Sequence, residues 1–304
     1  FWRFLMGIGS GFAFVGMVYA ANIGFSMRYF AMMVGFGEFI AMFGAAFAQS
    51  ALPHVVINYG WRHMILLCAG FGIFLTLLMA IFLKDRPCNK KFEYGLWETL
   101  LCQLRQAAAI GGNWLCGIYC CAFFGLVTGF VALWGVPYMM HVHHFSYIQA
   151  TDLMAWCLYG FAFGGPAIGY IGHYFETKKL ITICGLSAAF LISAIIFEPG
   201  NHFMMDKIVL FITGALSCSY VLAFGLVQKI TPESYRGTAI GLCNMLALLG
   251  GVFYLPATGF IINKMAEHHQ NIHLQYEYGL IIVPIMMVIA VLGILMMKIR
   301  PATQ

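Results

Sequence analysis

Charged side chains are scarce in this sequence. Asp, Glu, Lys and Arg make up 9% of its 304 residues, whereas they make up about 25% of an ordinary soluble domain. Hydrophobic residues make up 62%, and the mean hydropathy is +0.86, which together exclude a water-soluble fold. Long apolar runs recur along the chain, each able to cross a hydrocarbon core of about 30 Å as a helix. The composition therefore predicts an all-α, polytopic membrane protein.

Sequence motifs of catalysis and of extracellular cross-linking are also missing. There is no nucleophile elbow, no phosphate-binding Gly-Lys-Ser/Thr loop and no His-Glu-x-x-His, so we expect neither an enzyme nor a bound cofactor. The ten Cys fall almost entirely within apolar runs, and no outer loop holds a pair, which argues against a disulfide framework. Phe1 stands inside an apolar run without an initiator Met, and we expect the function to depend also on segments before it.

Nine membrane spans are predicted from the apolar runs and the polar residues between them. Their approximate limits are 2–21, 29–50, 63–83, 107–138, 147–172, 179–197, 205–228, 237–262 and 279–297. Twelve of the sixteen Lys and Arg residues then fall on one side of the membrane and three on the other. By the positive-inside rule, the C-terminus is cytoplasmic. The net charge of +5 is accounted for by this bias and does not indicate nucleic acid binding.

Three regions follow from these spans. Residues 1–83 hold three spans of an N-terminal bundle, 84–106 form a charged cytoplasmic linker, and 107–304 form a six-helix bundle. Leu96, Trp97, Leu100, Leu101 and Leu104 recur at helical spacing within the linker. This pattern predicts an amphipathic helix on the inner membrane surface.

A short pattern occurs twice, in equivalent places. "SMRYFAM" at 26–32 and "SYRGTAI" at 234–240 share Ser-x-Arg-x-x-Ala followed by an apolar residue. Each opens a glycine-containing span on the cytoplasmic side, and each follows a span rich in Gly and Ser. The repetition indicates two related halves, as in transporters that arose by duplication.

Four segments resemble the major facilitator superfamily. "ITPESYRGTAIGLCNMLALLGG" is similar to that family's loop from the tenth to the eleventh helix, and "WRFLMGIGSG" resembles the Arg-x-x-x-Gly pattern of its fourth helix. "NYGWRHMILLCAG" resembles the start of the sixth helix, and "GGPAIGYIGHYFETKKL" the loop from the eighth to the ninth. The resemblance implies two pseudo-symmetric six-helix halves, with helices four to twelve present. It also implies secondary active transport by alternating access in a bacterial inner membrane.

Two segments depart from the family pattern. The loop from the eighth to the ninth helix usually carries an acidic residue followed by Arg, and here His173 and Tyr174 stand in those places. We therefore expect a weaker cytoplasmic latch in this half. The span "GFGEFIAMFGAAFAQS" lacks the Gly-Pro-x-x-Gly-Gly stretch of the family's drug/proton antiporters, which disfavours multidrug export.

Glu38 is the most informative residue of the sequence. It lies ten residues into a span, about 15 Å deep at 1.5 Å per residue, where an ionised carboxylate costs several kcal/mol unless it faces water or a partner. It is predicted to bind the coupling proton or the solute, and the alternative is a protonated side chain that packs between helices. Arg3 is predicted to face the same cavity, where it could pair with Glu38, or else to extend toward the interface.

The remaining candidates are polar or aromatic residues at depth and basic residues at the cytoplasmic ends of spans. The substrate cavity is predicted to include Asn113, Trp114, Tyr119, Tyr220 and Asn244. The cytoplasmic gate is predicted to include Arg28, His173, Lys178, Lys179 and Arg236. Side chains of the first set suit a small organic solute better than a bare ion. Packing between helices, or a solvated turn, is the alternative for both sets.

Nine of the ten histidines fall on the predicted outer side. His141, His143 and His144 in "HVHH" are weak candidates for a zinc or copper site, and a cluster of this kind could also sense an acidic exterior. Their spacing matches no closed metal motif, so no metal site is predicted and ordinary loop polarity is the main interpretation.

The functional expectation is proton-coupled uptake of a small organic solute by a monomer in the lipid bilayer, with protons and the solute as its partners. Three alternatives stay open: export of a siderophore-like, drug-like or metabolite-like compound, uptake of a metal complex, and a membrane sensor that binds a ligand without transporting it.

Overall fold

The computed structural model describes residues 2–24, 27–82, 96–172, 174–197, 202–268 and 271–297. Within these ranges the chain consists of helices and short connections, with no strand. Helices are the expected solution, because a backbone in lipid must satisfy its own hydrogen bonds.

The first three helices are α1 (Trp2–Gly24), α2 (Met27–Tyr59) and α3 (Trp61–Phe82). Helix α2 runs nine residues beyond the predicted end of its span and continues through Pro53. It ends at Tyr59, and the next residue, Gly60, has a φ of 78°, in the left-handed region that favours glycine. A single-residue turn therefore separates α2 from α3.

Helix α4 (Leu96–Ala109) is the helix predicted within the linker. It ends three residues later than the predicted linker, and Ile110 separates it from the next helix. Trp97 is 76% exposed, and Leu100, Leu101 and Leu104 are exposed with it. On the other side of α4, Gln103 accepts a hydrogen bond from Thr238 at 3.0 Å and donates one to the Ser234 carbonyl at 3.4 Å. The linker helix is thus tied to the C-terminal half.

Six helical rods form the C-terminal half, three of them interrupted. The helices are α5 (Gly111–Gly125), α6 (Gly135–His141), α7 (Tyr147–Ile171), α8 (Thr177–Phe197), α9 (Phe203–Ser217), α10 (Tyr220–Ile230), α11 (Arg236–His268), α12 (Ile272–Leu280) and α13 (Ile282–Met296). A π-helical stretch, Leu126–Trp134, joins α5 to α6 in one rod. Helices α9 and α10 form another rod, and α12 and α13 a third.

The described rods correspond to the nine predicted spans, although several limits differ. Helix α11 extends six residues beyond its predicted end, and α12 begins seven residues before the last predicted span. Seven helical stretches in the described ranges are long and apolar enough to cross a membrane. Of the other two rods, α1 is apolar over the shorter stretch Phe4–Val18, and α7 carries Gln149, Thr151 and Asp152 near its start.

Small residues let the helices of the C-terminal half approach closely. Gly160 and Gly164 of α7 face the backbone of α9, so that a Cβ at either position would collide with Phe211 or Ala215. This Gly-x-x-x-Gly pair therefore lies at a helix crossing, as in other membrane bundles.

The two halves meet along α2 and α7, one of the most extensive helix contacts in the described structure. At the crossing, a Cβ at Gly35 would lie 3.3 Å from the Gly165 carbonyl oxygen. Aromatic rings continue the contact: the centroids of Phe39 and Phe163 are 5.4 Å apart, and those of Phe43 and Tyr159 are 5.5 Å apart. Glycine at the crossing therefore brings Glu38, one turn further along α2, against the C-terminal half.

Candidate functional site

A cavity of about 250 Å³ lies between the two halves. Helices α1 and α2 form one wall, and α5, α10 and α11 form the other. Its lining residues are Ser10, Ala13, Phe14, Met17, Gly37, Glu38, Ala41, Met42, Phe124, Tyr220, Asn244, Ala247 and Leu248. Residues from both halves thus enclose a single space, which is the position expected for a solute site in a transporter of two related halves.

Helical periodicity explains why these residues share the cavity. Ser10, Phe14 and Met17 recur at spacings of three and four along α1, so they lie on one face. Asn244 and Leu248 share a face of α11 in the same way. Because almost every residue of these spans is apolar, the sequence shows no distinct polar face, and the composition of α1 does not indicate which side meets the cavity.

Glu38 is the single ionisable carboxylate among the described residues that line the cavity, and it is 5% exposed. Its carboxylate accepts a hydrogen bond from the hydroxyl of Tyr220 on α10, across the boundary between the halves. Its Oε2 atom is enclosed and has no hydrogen-bond partner among the described residues. A buried acceptor without a hydrogen bond raises the free energy of the folded protein. Glu38 is therefore expected to bind a proton or a hydrogen-bond donor.

Tyr220 is held in place by a break in its own rod. The helix is interrupted at Cys218 and Ser219, between α9 and α10. The Ser219 hydroxyl bonds with the Tyr119 hydroxyl at 2.7 Å, and Tyr119 in turn donates to the Ile181 carbonyl on α8 at 3.2 Å. Helices α5 and α8 of the C-terminal half therefore fix the start of α10, where Tyr220 stands.

Of the predicted cavity residues, the structure brings Tyr220 and Asn244 together with Glu38 and places the other three elsewhere. Asn113 is fully buried, donates to the Ala107 carbonyl at 2.9 Å and accepts from Thr231 at 3.1 Å. Trp114 donates to the Ala108 carbonyl at 2.8 Å. Both join the N-terminal end of α5 to neighbouring segments. Tyr119 is buried within the C-terminal half, where it stacks on Phe123.

The described basic residues of the predicted gate make contacts within the C-terminal half. Lys178 donates to the Met297 carbonyl at 3.0 Å, and Lys179 pairs with Glu176 at 3.1 Å. Arg236 donates to the Thr231 carbonyl at 3.4 Å. These contacts fix the start of α8, the end of α10 and the start of α11.

Three predicted site residues lie wholly or partly outside the described structure. His173 is not described, and the side chains of Arg3 and Arg28 are not described although their backbones are helical. The predicted pair between Arg3 and Glu38 therefore stays a prediction.

The three candidate histidines of "HVHH" have different surroundings. The ring of His143 is buried, with Nε2 3.2 Å from the Tyr138 hydroxyl and Nδ1 3.9 Å from Asp206. His141 stacks on Tyr276, and His144 is exposed, with a φ of 57°. In the described ranges no group of three or more His, Cys, Asp or Glu residues is arranged to hold a metal ion.

Ten lining residues were absent from the sequence-based set, and the larger ones include Phe14, Met17, Met42 and Phe124. Phe14 of α1 lies 5.1 Å from Phe224 of α10 between ring centroids, so it also joins the halves. Aromatic and Met side chains are ordinary core residues in such a chain. Their position at the cavity could be found only once the helices were packed.

Solved membrane transporters share this arrangement of helices. The Escherichia coli fucose:proton symporter FucP matches over 93% of this chain and 72% of its own, with 14% identity and a TM-score of 0.64. A bacterial homolog of the human lysosomal transporter Spinster, inward-facing and unoccupied, matches over 88% and 69%, with 17% identity and a TM-score of 0.58. The same homolog in its inward-facing, occupied form matches over 88% and 68%, with 18% identity and a TM-score of 0.53. At these identities the likeness shows the fold.

An all-helical fold with a cavity between two halves defines the class as polytopic membrane transporters. The family model described as Major Facilitator Superfamily matches residues 1–255 and 115–304. The chain belongs to this superfamily, whose members are transporters rather than enzymes. The predicted family and fold class are confirmed.

Proposed function

We propose that this protein is a secondary active transporter that moves a small organic solute by alternating access, coupled to protons through Glu38. The observation that carries the proposal is the position of Glu38: a buried carboxylate in the cavity between the halves, bonded to Tyr220 of the opposite half. A membrane-embedded carboxylate of this kind is a typical proton-binding group in transporters. The fold shared with a fucose:proton symporter agrees with this coupling.

The bond between Glu38 and Tyr220 suggests how a proton could act on the halves. An ionised carboxylate accepts a strong hydrogen bond from the tyrosine, and a protonated one accepts a weaker bond. Protonation therefore alters a contact that joins α2 to α10. Rocking of the halves about the contact between α2 and α7 would then expose the cavity to each side in turn.

Uptake is the direction that the sequence favours. In that cycle the outward-open cavity accepts a proton at Glu38 together with the solute, and both leave toward the cytoplasm. Arg28, Lys178, Lys179 and Arg236 close the cytoplasmic side. Export is the second candidate, and the open Oε2 atom of Glu38 favours it. A solute that occupies this atom excludes the proton, and an inward proton gradient then drives the solute out.

The proposed setting is a bacterial inner membrane, with a monomer whose C-terminus is cytoplasmic. The support is the bias of Lys and Arg toward one set of loops, since the positive-inside rule places those loops in the cytoplasm.

Proteoliposomes that contain the full-length protein and the pH-sensitive dye pyranine would test the coupling. A panel of sugars, amino acids, organic acids and amines is added, and the internal pH is followed. Wild type is expected to move protons with at least one solute, and Glu38→Gln is expected to abolish this response. Glu267→Gln is the matched control, because Glu267 is exposed near the C-terminal end of α11 and does not line the cavity. Solute flux that moves no protons, or an unchanged response in Glu38→Gln, would overturn the proposal.

A further inference from the structure

Three buried polar side chains meet at one end of the C-terminal half. His143 stands in the connection between α6 and α7 (residues 142–146), Tyr138 belongs to α6, and Asp206 lies in the first turn of α9. His143 is 1% exposed and Asp206 is 7% exposed. None of the three lines the cavity that contains Glu38. They therefore form a separate group within the C-terminal half.

Hydrogen-bond donors and acceptors place a hydrogen on one nitrogen of His143. The Tyr138 hydroxyl donates its single hydrogen toward the carbonyls of Ile195 and Ile196, at 2.8 and 3.1 Å, at the end of α8. The same hydroxyl lies 3.2 Å from His143 Nε2. A carbonyl can only accept, so the tyrosine hydrogen is already engaged and the tyrosine oxygen accepts from the imidazole. His143 Nε2 therefore carries a hydrogen.

The other nitrogen of His143 faces a carboxylate. Nδ1 lies 3.9 Å from Asp206 Oδ2, an enclosed atom that accepts no hydrogen bond from the described residues. In a neutral imidazole with its hydrogen on Nε2, Nδ1 is an acceptor. It would then face a second acceptor in a buried space, which is unfavourable. A proton on Nδ1 converts this contact into an ion pair.

The nearest lysine in the sequence is engaged elsewhere. Lys207 follows Asp206 directly, but its Nζ atom pairs with Asp152 of α7 at 2.6 Å. The same atom lies 4.4 Å from the centre of the Phe203 ring. Among the described residues, the basic side chain paired with Asp206 is therefore His143.

Other titratable side chains surround this pair: Tyr138, His141, His202, His273, Tyr276 and Glu277. His202 is exposed and acts electrostatically on Asp206, and Glu277 acts in the same way on Tyr138. Glu198, which follows α8 in the sequence, lies outside the described residues. His202 and Glu198 are therefore each replaced in the experiments that test the assignment.

We propose that His143 and Asp206 form a proton-binding site, separate from Glu38, whose bound proton makes an ion pair that fastens the connection between α6 and α7 to α9. Histidine is more basic than aspartate, with ordinary pKa values of about 6.5 and 3.9, so the proton resides on His143. Phe145 extends the contact, because its ring stacks on His143 and meets Phe203, with centroids 5.9 and 5.5 Å away. Loss of the proton removes the ion pair and weakens this contact. The inference goes beyond the proposed function, since it involves neither transport nor Glu38.

The site links the stability of the protein to pH. An unfolded histidine releases its proton near pH 6.5, whereas the facing carboxylate favours the charged imidazole in the folded protein. Just above pH 6.5 the folded protein therefore binds more protons than the unfolded chain, and its stability falls as the pH rises. The stabilisation by the ion pair is complete below about pH 6.5 and is lost as the pH rises through the value at which the folded pair titrates.

Nitrogen NMR of the full-length protein in detergent, with ¹⁵N-labelled histidine, observes the proton directly. The signals of His143 are identified by their absence in His143→Gln and are followed from pH 5 to 9. We expect hydrogens on both ring nitrogens at pH 6, and loss of the Nδ1 hydrogen above pH 6.5. In Asp206→Asn the ring should lose this hydrogen at a pH lower by about one unit or more. A ring without a hydrogen on Nδ1 at any pH, or an unchanged titration in Asp206→Asn, would overturn the proposal.

A double-mutant cycle separates the ion pair from ordinary packing. The variants are His143→Gln, which keeps a donor for Tyr138, Asp206→Asn, and the two combined. Their melting temperatures in detergent are compared with that of wild type at pH 6 and pH 8.5. We expect the two replacements to be non-additive at pH 6 and close to additive at pH 8.5. Equal coupling at both pH values would indicate a contact that does not depend on the proton, and the proposal would be wrong.

Three single replacements serve as controls: Glu198→Gln, His202→Gln and His144→Gln. His144 is the exposed neighbour of His143. Each control should keep the titration of His143 and the pH dependence of the melting temperature. If Glu198→Gln or His202→Gln removes them and Asp206→Asn does not, the proton belongs to another pair and the proposal is overturned. If Asp206→Asn does not fold, the wild-type titration still tests for the hydrogen on Nδ1.

Discussion

The hydroxyl of Tyr220 donates a hydrogen bond to the carboxylate of Glu38, and this bond joins the two halves of the protein across their shared cavity. Glu38 belongs to α2 of the N-terminal half, whereas Tyr220 begins α10 of the C-terminal half. A change in the protonation of Glu38 would therefore alter a contact between the parts that move in the proposed transport cycle.

Tyr220→Phe removes this hydrogen bond and keeps the ring. A hydrogen bond to an ionised group is worth about 1.5–3 kcal/mol, so its loss removes a contact between α2 and α10 and should lower proton-coupled transport by about tenfold or more. Transport measured from pH 5 to 9 would show this loss. Tyr59→Phe, at an exposed site near the end of α2, should leave the profile unchanged.

Asn113→Ala and Asn244→Ala are expected to have opposite effects. Asn113 bonds with Ala107 and Thr231 within the buried C-terminal half, so its loss leaves buried partners unsatisfied. A destabilisation of about 1–3 kcal/mol is expected, seen as a lower melting temperature in detergent, with ligand affinity retained. Asn244→Ala should lower ligand affinity and have a smaller effect on the melting temperature. If Asn113→Ala instead lowered ligand affinity and left the melting temperature unchanged, Asn113 would belong to the solute site.

Gly164→Ala should destabilise the crossing of α7 with α9. The added Cβ meets the backbone of Ala215, and overpacking of this kind costs about 1–3 kcal/mol. Thermal unfolding measures the effect. Gly225→Ala is the control, because no atom lies within 4 Å of a Cβ at that position. Removing a helical glycine there should leave the melting temperature equal or slightly higher. Equal melting temperatures for the two variants would contradict the close crossing.

Gln103 and Thr238 should be energetically coupled. Their side chains hydrogen bond at 3.0 Å and tie α4 to α11. A double-mutant cycle with Gln103→Ala and Thr238→Val is expected to give an interaction free energy of about 0.5–1.5 kcal/mol, measured from melting temperatures in detergent. Additive effects would show that the hydrogen bond between Gln103 and Thr238 does not contribute to the stability of the contact between α4 and α11.

Periodicity and composition predicted the class of fold, the nine rods and the linker helix, because lipid imposes length and polarity on each span separately. The limits of α2 and α11 were less accurate, since both helices continue through polar residues beyond their apolar runs. The interruption at Cys218 and Ser219 was not predicted either. Nothing in the local sequence marks it, and its support comes from Tyr119 on another helix.

For the site, the sequence by itself determined how deep each residue lies along its membrane span. Counting residues along a span placed Glu38 near mid-membrane, where a carboxylate is costly enough to indicate a function. Depth does not determine which way a side chain faces, and Asn113, Trp114, Tyr119, Tyr220 and Asn244 were equally good candidates on that basis. Only the packing of α1 and α2 against α5, α10 and α11 decided that Tyr220 and Asn244 share the cavity with Glu38, whereas Asn113 and Tyr119 are buried within one half. The physical reason is that a facing direction depends on the rotation of each helix about its axis, which contacts with neighbouring helices fix.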